Sequence, residues 1–170
     1  RALAASRNIC SIRLIEKIGP PVVVELAHKA GIRSDLEPVL ALGLGASVVS
    51  PIEMASSFGT FANGGISVQP YTVERVEDQA GKQLQSHVPI EKEGISPQLA
   101  FLITNLLKAV VNSGTATYAR KLNRPLAGKT GTSNDNRDLW FIGYTPDLVA
   151  AAWMGYDDFT SLGRKHRTGG

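Results

Sequence analysis

Apolar residues recur at a helical interval through the first part of the chain and take up other rhythms towards its end. Ile9, Ile12, Leu14, Ile15 and Ile18 predict a helix over 8–18, closed by Gly19-Pro20. Residues 22–30 predict a second helix, stopped by Gly31, and the small apolar residues 40–49 an apolar loop or short strand. Ser50-Pro51-Ile52-Glu53 starts a helix: serine caps, proline suits the first turn, and Glu53 completes a capping box. That helix turns Met54, Phe58 and Phe61 inward and ends at Asn63-Gly64-Gly65. Residues 71–76 alternate like a strand, Asp78 to Gly81 read as a hairpin turn, and 83–94 form a polar, flexible excursion. Ser96-Pro97 opens the longest helix, with Leu102, Leu106, Leu107 and Val110 as its apolar positions and Asn112-Ser113-Gly114 as its end. Residues 126–133, 139–144 and 148–156 read as three strands, joined by turns at Asn134-Asp135-Asn136 and Thr145-Pro146-Asp147 that are short enough for antiparallel pairing. The pattern is α+β: helices, then an antiparallel meander.

At 170 residues the chain is one domain's worth, or a piece of a larger one, and 43% hydrophobic with 19% charged residues is a globular composition. A net charge of +3 without aromatic–basic interleaving gives no reason to expect a nucleic-acid partner. The densest basic cluster, Arg164-Lys165-His166-Arg167, reads as a solvated loop, with an anion-facing rim as the alternative. The single cysteine, Cys10, excludes an internal disulfide and reads as a small core residue. His28, His87 and His166 have no ligand spacing, and Asn134, Asp135, Asn136 and Asp138 lack the calcium-loop pattern, so neither a metal nor another cofactor is expected. No run approaches the ~18 apolar residues of a membrane helix, and the N-terminus lacks the form of a signal peptide. A start at Arg1 rather than Met suggests a fragment.

The chemistry concentrates in Lys129-Thr130-Gly131-Thr132. On a strand Lys129 and Gly131 share one face while Thr130 and Thr132 share the other. Gly131 would let a substrate backbone approach and pair with the strand edge. Lys129 supplies positive potential, and the two hydroxyls could hold a carboxylate. Without further context, threonines here could equally reflect strand propensity. Trp140 and Trp153 read as core aromatics before sugar platforms.

Taken in order, Lys129-Thr130-Gly131-Thr132, the run from Asp138 to Pro146 (DLWFIGYTP) and the run from Trp153 to Asp158 (WMGYDD) resemble the transpeptidase domain of class A penicillin-binding proteins. Upstream, Leu42-Gly43-Leu44-Gly45, residues 51–55, residues 61–65 (FANGG) and Ser113-Gly114-Thr115-Ala116 are similar to core segments of that family. The resemblance covers nearly the whole chain. Ser6-Arg7-Asn8 fits the family's Ser-x-Asn motif at the start of a helix, where Ser6 could also act as an ordinary helix cap. The Ser-x-x-Lys motif that carries the nucleophile is missing, since no serine here is followed three positions later by lysine.

The resemblance implies a serine β-lactamase/D,D-transpeptidase-like fold, an antiparallel sheet flanked by helices and incomplete at both ends. Residues 1–170 would be the C-terminal portion of the domain, without its nucleophile segment and its C-terminal helix. The implied reaction is acyl transfer on D-Ala-D-Ala stem peptides of peptidoglycan, with β-lactams as covalent ligands. Ser6 would relay a proton with the help of Lys129, and Asn8 would hold the substrate amide and the absent lysine. Thr130 and Thr132 would bind the terminal carboxylate, Gly131 would keep the strand open, and the Thr132 N–H would be half of an oxyanion hole. The implied partners are peptidoglycan stem peptides, β-lactams and the N-terminal remainder carrying Ser-x-x-Lys. The implied location is the outer face of the bacterial cytoplasmic membrane, in the periplasm, with the anchor outside this chain. A D,D-carboxypeptidase or β-lactamase of the same superfamily and a non-catalytic penicillin-fold binding module are the alternatives. The isolated chain is expected to be inactive and poorly stable.

Overall fold

The computed structural model describes residues 1–163. Two helices come first, α1 (Asn8–Ile18) and α2 (Pro20–Ala30), with the break at Gly19 that the sequence predicts. Arg7 rather than Ser6 occupies the N-cap of α1, and no side chain caps that end, so Ser6 is free of a capping role. Residues 40–44 form a short 3₁₀ turn, neither strand nor open loop.

Helix α3 (Pro51–Ala62) begins at the predicted capping box: the Ser50 side chain accepts from the Glu53 N–H while the Glu53 carboxylate accepts from the Ser50 N–H. The fully buried positions of α3 are Ser57 and Thr60, with Phe58 and Phe61 partly buried against the core. Thr60 is held inside because its hydroxyl donates to the Ala30 carbonyl at 2.8 Å, which satisfies the polar group and ties α3 to α2.

Two short ladders replace the expected strand and flexible excursion. β1 (Ile66–Val68) pairs with β4 (Glu91–Glu93), and β2 (Arg75–Glu77) pairs with β3 (Gln83–Ser86), both antiparallel. The predicted strand over 71–76 thus shrinks to its end, and the polar stretch 83–94 is hydrogen-bonded strand for much of its length. Every residue of β2, β3 and β4 is exposed, so backbone pairing rather than burial holds them. The Asp78 turn is as expected, with its carboxylate accepting from the Ala80 and Lys82 N–H groups.

Helix α4 (Pro97–Ser113) is capped by Ser96 and buries Ala100, Leu107, Val110 and Val111. Leu102 and Leu106, expected inside, are exposed at 59% and 50%. The remaining strands are β5 (Ala127–Thr132), β6 (Asp138–Tyr144) and β7 (Val149–Gly155), an antiparallel sheet in the order β5-β6-β7. Ala127, Tyr144 and Val149 stand opposite one another and join Leu107, Val110 and Val111 of α4 and Phe58 and Phe61 of α3 in one core. The Phe58 ring meets those of Phe61 and Tyr144 edge-on at 5.7 and 6.4 Å, an arrangement suited to aromatic quadrupoles. Ala4 and Ala116 join the same cluster, which brings the chain's first residues beneath the start of β5.

Two further expectations change. Cys10 is exposed on α1 rather than in the core. Trp153 is 38% exposed and Trp140 partly buried; they face each other across β6 and β7 with ring centroids 6.4 Å apart, and the Trp153 N–H donates to Asp138. They are a cross-strand pair at the sheet's margin, not part of the central core. The basic cluster 164–167 lies outside the described residues.

Candidate active site

Strand β5 is an outer strand of its sheet, and no strand among the described residues pairs with its second edge. Lys129 sits in its middle on the face that packs towards α3 and α4, as alternation from Ala127 requires. Its ammonium donates to the Ser6 hydroxyl at 3.0 Å and to the Thr130 carbonyl at 2.7 Å. Partial burial holds the Lys129 pKa below its ordinary value, because a desolvated ammonium is costly. The cation is therefore readier to give up a proton than a solvated lysine.

Ser6 precedes α1 in a tight loop, where the Ser6 N–H donates to the Leu3 carbonyl and the Arg7 N–H to the Ala2 carbonyl. Its backbone is left-handed, with φ at +50°, a conformation that costs a non-glycine residue about 1–3 kcal/mol. Ala4, buried at 8% exposure, anchors this loop in the core. The predicted pair, 123 positions apart in sequence, thus meets at one hydrogen bond. Asn8 is the first residue of α1, exposed, and two positions beyond Ser6.

Thr130 and Thr132 lie on the opposite side of β5 from Lys129, facing Phe141 and Leu139 in the register of β6. Thr130 is partly buried and Thr132 exposed. Gly131 stands opposite Trp140, and a Cβ there would lie 3.1 Å from the Cβ of that tryptophan. The bare position therefore makes room for the indole as well as leaving the strand slim.

One residue of the arrangement was not singled out from sequence. The Thr115 hydroxyl lies 2.6 Å from the Thr130 hydroxyl, and its N–H donates to the Ala4 carbonyl at 3.1 Å. Thr115 follows α4 directly after Gly114, where a Cβ would fall 2.3 Å from that same carbonyl. The only available signal was its place in the family-like run Ser113-Gly114-Thr115-Ala116. Among the described residues there is no group of three or more His, Cys, Asp or Glu side chains arranged to hold a metal. No helix among them is long and apolar enough to cross a membrane.

The combination on β5 is a partly buried cation against a serine hydroxyl, a hydroxyl-bearing face and an edge with which no strand among the described residues pairs. Such a surface can move a proton, hold an anion and pair with an extended peptide.

The family model for the penicillin binding protein transpeptidase domain matches residues 1–160. Penicillin-binding protein 1A of Aquifex aeolicus is 38% identical over 168 residues, covering 99% of this chain and 23% of that protein. Penicillin-binding protein 1A of Neisseria gonorrhoeae is 37% identical over 171 residues, covering 96% of this chain and 21% of that protein. The chain thus spans between a fifth and a quarter of these relatives' length. The crystal structure of penicillin-binding protein 1A from Haemophilus influenzae superposes with a TM-score of 0.90 at 28% identity, over 97% of this chain and 31% of that one. The PonA1 protein of Mycobacterium tuberculosis, solved in complex with penicillin V, gives 0.80 at 29% identity, over 93% of this chain and 47% of that one.

Proposed function

The chain belongs to the penicillin-binding protein transpeptidase domain family, and from that premise we propose that it supplies two of the three catalytic motifs of a serine D,D-transpeptidase. The third, Ser-x-x-Lys, belongs to the N-terminal remainder of the domain, and residues 1–170 are its C-terminal portion. The observation that carries this reading is the 3.0 Å contact between the Lys129 ammonium and the Ser6 hydroxyl, with Thr130 adjacent.

In the complete site the nucleophilic serine attacks the penultimate carbonyl of a D-Ala-D-Ala stem peptide. The C–N bond breaks, and terminal D-Ala leaves with a proton on its nitrogen, passed through Ser6. Lys129 lowers the cost of the negative charge that develops during these steps. Thr130 and Thr132 hold the terminal carboxylate, Gly131 leaves the edge of β5 open to the peptide, and Asn8 orients the substrate amide. An amine from a neighbouring stem peptide then attacks the acyl ester, a new amide forms, and the serine oxygen takes its proton back. A β-lactam would be attacked in the same way, its ring amide standing in for the scissile bond. The substrate places the enzyme on the outer face of the bacterial cytoplasmic membrane, in the periplasm, held by an anchor outside these residues.

The isolated 170 residues are inactive on this reading, because they hold neither the nucleophile nor its half of the oxyanion hole; one such donor is worth about 10²–10³ in rate. The test is D-Ala release from a synthetic pentapeptide ending in D-Ala-D-Ala, with and without an added D-amino acid as acceptor. The chain alone should release none. Joined to the segment bearing Ser-x-x-Lys, it should release D-Ala and transfer the acyl group to the acceptor. Release without transfer would make it a carboxypeptidase, and no release by a folded, joined protein would make it a binding module.

A further inference from the structure

Thr115 is a side chain for which the reaction above has no use, yet its hydroxyl touches a group that the reaction needs. The Thr115 and Thr130 oxygens are 2.6 Å apart, a short hydroxyl–hydroxyl hydrogen bond. The backbone of Thr115 is fixed independently of that bond: its N–H donates to the Ala4 carbonyl, and Gly114 before it passes too close to Ala4 for any side chain. Ala116 after it is 1% exposed, locked in the core. The Thr115 backbone is therefore held by packed neighbours on both sides, and its exposed side chain reaches one oxygen of β5.

A threonine hydroxyl has one proton and two lone pairs. If Thr130 donates its proton to a carboxylate, its lone pairs remain to accept, and Thr115 is placed to donate to one of them. A donor at that position polarises the Thr130 O–H and fixes its rotation, so that its proton points away from Thr115. We propose that Thr115 is a positioning residue for carboxylate recognition, orienting the Thr130 hydroxyl towards the terminal carboxylate of the substrate or of a β-lactam. This rests on the transpeptidase reading of the preceding section. It assigns Thr115 no contact with the substrate.

The proposal separates two roles that one residue could have. If Thr115 merely held the Ser6 loop in place, it would do so through its backbone, which Thr115→Val and Thr115→Ser both keep. If its hydroxyl acts through Thr130, valine removes the effect and serine restores it. The experiment measures acylation of the full protein by benzylpenicillin, resolving the binding constant of the non-covalent complex from the acylation rate constant. Thr115→Val should weaken binding roughly tenfold, the scale of one neutral hydrogen bond, with the acylation step changed by less than about twofold. Thr115→Ser should restore binding to within about threefold of the unaltered protein. In a Thr130→Val background, Thr115→Val should add nothing, because the group it orients is gone. The methyl ester of the same penicillin, which lacks the carboxylate, should not distinguish Thr115→Val from the unaltered protein.

Unchanged binding in Thr115→Val would overturn the proposal. So would an equal loss in the Thr130→Val background, or a loss confined to the acylation step. An unaltered protein that takes up no penicillin would overturn the transpeptidase reading, and this proposal with it. An acylated protein indifferent to Thr115→Val would overturn this proposal alone.

Discussion

Replacing Glu53 by glutamine should loosen the start of α3 more than an ordinary capping mutation does. One oxygen of the carboxylate accepts from the Arg33 and Ser34 N–H groups at 2.8 and 2.7 Å and from the Ser34 hydroxyl at 3.0 Å. The other accepts from the Ser50 N–H at 2.9 Å and the Ser50 hydroxyl at 2.7 Å. Glutamine keeps one acceptor oxygen and turns an NH₂ group towards the remaining donors, so one of these two sets loses its partner. Hydrogen bonds to a charged group contribute about 1.5–3 kcal/mol each. Because Glu53 is partly open to solvent, the expected total for the pair lost is about 2–3 kcal/mol rather than the full sum. The same contacts, led by the Ser50 hydroxyl, hold the Glu53 carboxyl well below its ordinary value of 4.5. In the folded protein the carboxylate therefore stays ionised where the unfolded chain already binds a proton. Its stabilisation is complete above about pH 4.5 and is lost as pH falls towards the depressed folded value. Urea unfolding of the full protein and of Glu53→Gln at pH 7 and again near pH 3.5 would check this. The difference between them should be about 2–3 kcal/mol at pH 7 and smaller in acid. A difference below about 0.5 kcal/mol at pH 7, or one that does not change with pH, would refute the reasoning.

Gly65→Ala should be more damaging still. Gly65 has φ at +101°, and a Cβ there would fall against the Ile95 carbonyl oxygen, so the cost should exceed about 3 kcal/mol; a shift in urea midpoint worth less than about 1 kcal/mol would contradict this close approach of Gly65 to the Ile95 carbonyl. Lys129→Met should lower the rate of penicillin acylation by about 10²-fold or more while leaving the melting temperature unchanged or raised, since a desolvated ammonium is lost with the proton-moving group. Equal losses of rate and of folded protein would instead make Lys129 a structural residue.

The parts of the fold that were legible in the sequence are those set by local chemistry. The capping box at Ser50 and Glu53 and the Ser96 cap are short-range signals, and both helices start where those residues say. The three strands of the larger sheet fall within a residue of expectation because apolar runs between short polar turns leave little choice. β3 and β4 escaped because Gln83, Gln85, Ser86, Glu91, Lys92 and Glu93 show no apolar alternation; those strands exist through pairing with partners elsewhere in the chain. In α4 almost every face carries an aliphatic or aromatic residue, so periodicity could not choose Val111 and Ala100 over Leu102 and Leu106 as the buried set. Cys10 lies on α1 beside Ile9, which is itself 69% exposed, so apolar neighbours in sequence did not mean a buried position.

The site divides in the same way. Lys129-Thr130-Gly131-Thr132 is contiguous and its strand could be read directly. Ser6 is 123 positions from its partner, and only the family resemblance connected the two before the fold did. Thr115 meets Thr130 across a turn and a strand start, 15 positions apart, and a threonine after a helix has nothing in its local sequence to mark that contact. The sequence marks Gly131 as an opening for substrate, and the fold adds a second cause, the tryptophan opposite.

The most direct test of the account is to find which residue carries the adduct after the full protein reacts with penicillin, by proteolysis and mass spectrometry. The account predicts a single acylated serine outside these 170 residues, followed three positions later by lysine, and no adduct on the isolated chain. An adduct on Ser6, or on any other serine of this chain, would mean that the nucleophile had been put in the wrong place.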